Sequence, residues 1–166
     1  DGTSYYTESL HEMIEMYKEK CGAKKVLIAG CSNGGYMTML LATHYTTEYD
    51  GYVLICEAMG DHCLSDADLQ DIKDLPLYFV FADDDPIVDP TMHELPTIAR
   101  LKAMGASNLH VSETEHVVDL SGKYNNSDGT PHQYFGHNSW IYFFNNETSC
   151  EECGKDAWHW MAEQIK

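Results

Sequence analysis

No run of apolar residues in this chain approaches the ~20 that a membrane-spanning helix needs. The longest, Val26 to Ala29 and Ile141 to Phe144, have the length of strands. Cationic side chains are scarce as well: lysine plus arginine number 10 against 27 aspartates and glutamates, a formal net charge of −17 over 166 residues with histidine neutral. A field of that sign repels phosphate backbones and anionic lipid headgroups, so neither nucleic acid nor a membrane surface is an expected partner. Internal repeats and low-complexity tracts are missing. With 43% hydrophobic and 22% charged residues the composition is that of an ordinary globular chain, which excludes disorder and collagen-like repeats. The length fits one domain over residues 1–166. Residues 1–20 are amphipathic and acidic and do not read as a secretory leader.

Six cysteines (Cys21, Cys31, Cys56, Cys63, Cys150, Cys153) do not make a disulfide framework in a chain long enough to build a core. Cys31 and Cys56 lie in or beside strand-like runs, where a free thiol behaves as a small hydrophobe. Cys150-Glu151-Glu152-Cys153 has the spacing of half a zinc knuckle, but no second Cys/His pair stands at matching spacing. These thiols therefore read as structural or incidental, and no metal is expected. Asn125-Asn126-Ser127 and Asn146-Glu147-Thr148 are glycosylation sequons that matter only if a eukaryote secretes the chain.

What is present is an alternation of helical and strand-like periods. Leu10, Met13, Ile14 and Tyr17 recur at helical spacing over Thr7 to Lys20, with Gly22 as the stop. Lys25 to Ala29 reads as a strand buried on both faces, followed by sharp punctuation at Gly30 to Gly35 and a helix over Tyr36 to His44. Gly51 to Ala58, Leu75 to Ala82 and Leu109 to Thr114 are further strands, and Thr91 to Met104 and Asp156 to Lys166 further helices. Asp61 to Asp74 reads as an acidic loop with at most a helical turn, and residues 119–136 as the least ordered stretch. This order predicts the α/β class: a mostly parallel sheet with helices on both faces. Ligand chemistry in such sheets collects at the carboxyl ends of the strands.

Just past the first strand stands Gly30-Cys31-Ser32-Asn33-Gly34, a Gly-x-Ser-x-Gly between a buried strand and a helix. A serine on so tight a turn is held in a strained conformation, and flanking glycines remove Cβ atoms that would clash. The Asn33 amide at the helix start can donate to an oxyanion, aided by the helix dipole. A phosphate-binding loop would need Gly-x-Gly-x-x-Gly or Gly-Lys-Ser/Thr, and neither occurs. Past the third strand comes Ala82-Asp83-Asp84-Asp85-Pro86-Ile87-Val88. Three adjacent aspartates cannot all face one site; Asp85, beside the proline, is the first choice to orient an imidazole, with Asp84 as runner-up and Asp89 as a cap for the next helix. The base must be a histidine, since serine activation near neutral pH needs a group titrating there. Of nine, His116 and His137 follow the fourth strand and complete the order Ser, Asp, His. His137 is preferred, with flexible Gly136 before it and Trp140 behind; His110, in a strand, needs only packing or solvation.

Gly30-Cys31-Ser32-Asn33-Gly34-Gly35-Tyr36-Met37 resembles the nucleophile elbow of the α/β-hydrolases, in the prolyl-oligopeptidase-like and feruloyl-esterase-like branch of bacterial esterases, a family that often includes secreted proteins. Ala82 to Val88 resembles that fold's Gly-x-x-Asp-x-x-Val acid motif, with Ala82 in the glycine's place, which puts the acid on Asp85. Gly136-His137-Asn138-Ser139-Trp140-Ile141-Tyr142 resembles the histidine segment, while His116-Val117-Val118-Asp119 resembles a neighbouring, non-catalytic stretch. The resemblance implies a serine hydrolase acting on a small-molecule ester, with Ser32, His137 and Asp85 as a triad, Asn33 in the oxyanion hole and no cofactor. It also implies a fold of α/β-hydrolase type lacking its N-terminal strands, with an open apolar edge beside the elbow strand. An N-terminal portion completing the sheet, cleaved off, disordered or carried by another chain, is expected. A peptidase using the same triad is the alternative within the enzymes. Outside them stand a non-catalytic hydrolase-like binding module and a metal-binding domain built on Cys150 and Cys153 with nearby histidines.

Overall fold

The computed structural model describes residues 4–166. Helix α1 (Thr7–Cys21) leads to β1 (Leu27–Cys31), α2 (Asn33–His44), β2 (Gly51–Ile55), α3 (Asp66–Ile72), β3 (Leu77–Ala82), α4 (Glu94–Ala103), β4 (Leu109–Thr114), α5 (Trp140–Phe144) and α6 (Ala157–Gln164). The four strands are parallel and lie in chain order, β1-β2-β3-β4.

Side chains alternate across the sheet, so each central strand feeds two cores. Tyr52 and Leu54 of β2, with Leu77, Phe79 and Phe81 of β3, pack on Met39, Leu40 and Leu41 of α2, Leu69 of α3 and Leu101 of α4. The intervening Val53, Ile55, Tyr78 and Val80 meet Phe143 of α5 and Ala157 and Trp160 of α6. Burial on both faces is why β2 and β3 are almost unbroken apolar runs. Helices thus cover both faces, as the alternation of periods predicts.

Several local expectations need correction. β1 is not buried on both faces: it is an edge strand, with Ala29 and Cys31 exposed and the rest half-buried. α2 begins at Asn33 rather than Tyr36, because glycine costs a helix only ~1 kcal/mol and Gly35 here serves close packing. β2 stops at Ile55: the Cys56 N–H still donates to Val80 O (2.8 Å), but at φ 36 the chain turns out of the strand. The acidic loop after β2 contains a whole helix, α3, entered through a capping box in which the Ser65 hydroxyl and the Asp68 carboxylate each accept the other's backbone N–H. Asp89 does not cap α4: its Oδ1 accepts from the Thr91 N–H and hydroxyl, closing a separate turn that delays the helix to Glu94. Residues 119–136 form an ordered excursion rather than a loose one, pinned by antiparallel bridges Val118–Gln133 and Asn125–Pro131. The Asp119 carboxylate knits its base by accepting from Ser121, Tyr124 and Tyr134.

Candidate active site

The carboxyl ends of β1 and β3 meet the start of the 136–138 turn at one rim of the sheet. Ser32 sits between β1 and α2 at φ 57, ψ −117, a conformation that costs a non-glycine residue about 1–3 kcal/mol. Neighbouring backbone holds it there: the Ser32 N–H donates to Ile55 O (2.8 Å), and Ser32 O accepts from Tyr36 (3.0 Å) and Ala58 (3.4 Å). Two glycines make the elbow possible. A Cβ on Gly30 would run into the Gly34 carbonyl, and one on Gly35 would come within 2.8 Å of Glu57 Cα. Gly34, by contrast, faces open space, so the motif's final glycine is not there to relieve a clash.

Asp85 is buried, its side chain 1% exposed. Its Oδ1 accepts from the N–H groups of Ile87 (2.8 Å) and Val88 (3.0 Å), which fixes the carboxylate and leaves Oδ2 pointing at His137 Nδ1, 2.8 Å away. An ionised carboxylate only accepts, so Nδ1 carries the proton and Nε2 keeps its lone pair. That lone pair faces Ser32 Oγ at 3.0 Å. Ser32, His137 and Asp85 are therefore brought together in one continuous relay, across 105 residues from hydroxyl to imidazole and 52 from imidazole to carboxylate. Asn33 is the first residue of α2, so its N–H has no intrahelical acceptor.

The runners-up pair with each other. His116 Nδ1 lies 2.7 Å from Asp84 Oδ2, which also accepts from Gln133 Nε2 at 3.2 Å. This second pair is more exposed and ties the 115–135 excursion to the acid loop. It also lies against the turn that carries His137: a Cβ on Gly136 would meet Asp84 O at 2.6 Å, so only glycine lets the turn seat there.

Sequence reasoning missed two buried acids behind the rim. Glu57, just past β2, and Glu94, opening α4, are both fully buried, and neither Glu94 oxygen has a hydrogen-bond partner among the described residues. Burial pushes the Glu94 carboxyl up to about 8, with repulsion from Asp85 and Asp89 in the same direction. Burial likewise holds Glu57 well above the ordinary range, against the pull of a hydrogen bond from the Met59 N–H. Each occurs singly in a stretch that promises no chemistry, so no spacing signals them. Cys56 is also buried here, its thiol pushed up to about 12, chiefly by burial, and so held protonated; Cys31, expected as a core hydrophobe, is exposed.

Neither a protein-family model nor a curated protein matches the chain. Among solved structures its fold is similar to that of a thermostable esterase, at a TM-score of 0.60 and 22% identity. The match covers 83% of this chain and 34% of the esterase, so the chain spans about a third of that enzyme's length. Similarity at this level concerns the fold, and the two share an α/β architecture.

Proposed function

We propose that the chain is a serine hydrolase of carboxylic esters. The hydrogen-bonded series Ser32 Oγ, His137 Nε2, His137 Nδ1, Asp85 Oδ2 carries the reading. Ser32 Oγ attacks the ester carbonyl as its proton passes to Nε2, and the tetrahedral oxyanion takes a hydrogen bond from the Asn33 N–H. The imidazolium then hands the proton to the departing alcohol, leaving an acyl-enzyme. A water, deprotonated by the same Nε2, releases the acid and restores the hydroxyl. Asp85 stays ionised throughout, holding the tautomer and stabilising the imidazolium. The esterase of similar fold supports this class over others that an α/β sheet can host.

The test is p-nitrophenyl acetate turnover together with labelling by a fluorophosphonate probe. Wild type should label at Ser32 and turn over. Ser32→Ala should lose labelling and drop kcat by roughly 10⁴-fold or more, with an unchanged circular dichroism spectrum. A Ser32→Ala protein that keeps most of its ester turnover contradicts the reading.

A further inference from the structure

His110, near the start of β4, and the two cysteines of the α5–α6 link lie far apart in sequence, yet folding puts them together. His110 Nδ1 stands 3.4 Å from Cys150 Sγ and 3.5 Å from Cys153 Sγ, and the three atoms lie within 4.8 Å of one another. The other ring nitrogen, Nε2, is 3.1 Å from Asn108 Oδ1. The Trp160 indole N–H donates to that same oxygen, and the amide's nitrogen donates to Gln164 Oε1, which fixes the orientation of the Asn108 side chain. A carbonyl oxygen only accepts, so Nε2 holds the proton and Nδ1 turns a bare lone pair toward both sulfurs. An imidazole whose outer N–H is held by an acceptor while its inner nitrogen faces two thiols is arranged as a metal ligand with its supporting shell.

The dimensions agree. Zinc bonds of about 2.3 Å to sulfur and about 2.05 Å to imidazole nitrogen, at a tetrahedral angle, separate S and N by about 3.6 Å. The 3.4 and 3.5 Å found here are within a few tenths of that. The turn between the cysteines is closed by the Gly154 N–H donating to Cys150 O (2.7 Å), with Gly154 at φ 69, and it is already docked on β4 through Glu151 N–H to Val111 O and Ser149 N–H to Ser112 Oγ. Charge also balances: two thiolates and one divalent cation sum to zero, which suits a site where Cys150 is 1% exposed. The flanking lysines are engaged elsewhere, Lys155 with Glu163 and Lys102 with Glu152.

The geometry points to a zinc site made by His110, Cys150 and Cys153, with a fourth position open to solvent beside the exposed Cys153. It lies at the end of the sheet opposite Ser32 and clamps the α5–α6 link, and α6 beyond it, onto the edge strand β4. The lone Cys-x-x-Cys finds its third ligand on a strand, which no sequence spacing reveals.

The full chain, purified anaerobically, stripped by chelation and kept reduced, is titrated with Co²⁺ and then Zn²⁺. One Co²⁺ per chain should bind with a thiolate-to-cobalt charge-transfer band and the visible bands of a tetrahedral ion. One equivalent of Zn²⁺ should bleach both and raise the Tm. Cys153→Ser, at an exposed position that leaves the core intact, should lose about half of the charge-transfer intensity and abolish the Zn²⁺-dependent rise in Tm. Asn108→Ala should weaken Co²⁺ binding about tenfold. Absence of the charge-transfer band in reduced wild type, or a Tm rise undiminished in Cys153→Ser, overturns the proposal. So does a protein that, as purified, contains no zinc and is lighter by the two hydrogens of a Cys150–Cys153 disulfide.

Discussion

At Ser32 the backbone itself is the device. Its positive φ is sustained by hydrogen bonds, to Ile55 O at the end of β2 and from the Ala58 N–H just past it, and by the absence of side chains at Gly30 and Gly35, so the glycines of the elbow, Gly30, Gly34 and Gly35, are not equivalent. Gly30→Ala sets a methyl against the Gly34 carbonyl, backbone that cannot step aside, and should destabilise by about 1–3 kcal/mol while pulling Ser32 off its partner. Gly34→Ala adds a methyl in open space near the start of α2 and should be neutral or stabilising by up to about 1 kcal/mol. Chemical denaturation of the two variants, with acetate ester turnover, checks the contrast. The strand–glycine–serine–helix pattern is legible in sequence because it is local. Which glycine matters is not, because Gly35's constraint comes from Glu57, brought alongside only when β2 pairs with β1.

Among elements, the acid loop after β3 and the excursion after β4 share one design problem: two aspartates and two histidines must pair in only one way. The loop solves it by burying Asp85 under the N–H groups of Ile87 and Val88 and leaving Asp84 nearer the surface for His116. His137→Gln should therefore reduce ester turnover by roughly 10³-fold or more. His116→Gln, which loses only the tie between excursion and loop, should reduce turnover by less than about tenfold and lower Tm modestly, as expected of a half-exposed pair. Equal losses in the two variants would refute this division. Sequence order allowed either histidine and either aspartate; the crossed pairing is decided by which carboxylate the backbone of residues 87 and 88 captures. Helix α3 shows the opposite case. Its Ser65–Asp68 capping box is a local signal that was there to read, hidden by the acidic composition around it.

Over the whole molecule, charge acts against compactness in two ways. The chain carries a formal net charge of −17, and Glu57 and Glu94 are enclosed with no ion pair among the described residues. In the unfolded chain Glu94 releases its proton near 4.5, whereas in the folded one it keeps it to about 8. Between those values the unfolded state binds fewer protons, so stability falls as pH rises across that window, and Glu57 acts in the same sense. Tm should decline from about pH 5 to about pH 8, and Glu94→Gln should flatten that decline and raise Tm at the alkaline end, converging with wild type at the acid end. Added salt should lift both proteins alike by screening the surface. Parallel Tm-against-pH curves for the two proteins would refute the role of Glu94.

The four strands, helices α1, α2, α4 and α6, the parallel sheet they imply and the elbow serine were determined by sequence alone. Each rests on contacts between near neighbours: periodicity, turn chemistry, or a glycine beside the residue it serves. The partners of His137 and His116, the edge position of β1, the buried glutamates and the meeting of His110 with Cys150 and Cys153 were decided only by the tertiary structure. These depend on which strand lies beside which and how far each is buried. Residues as far apart as 40 or 105 positions acquire a distance only when the sheet closes between them.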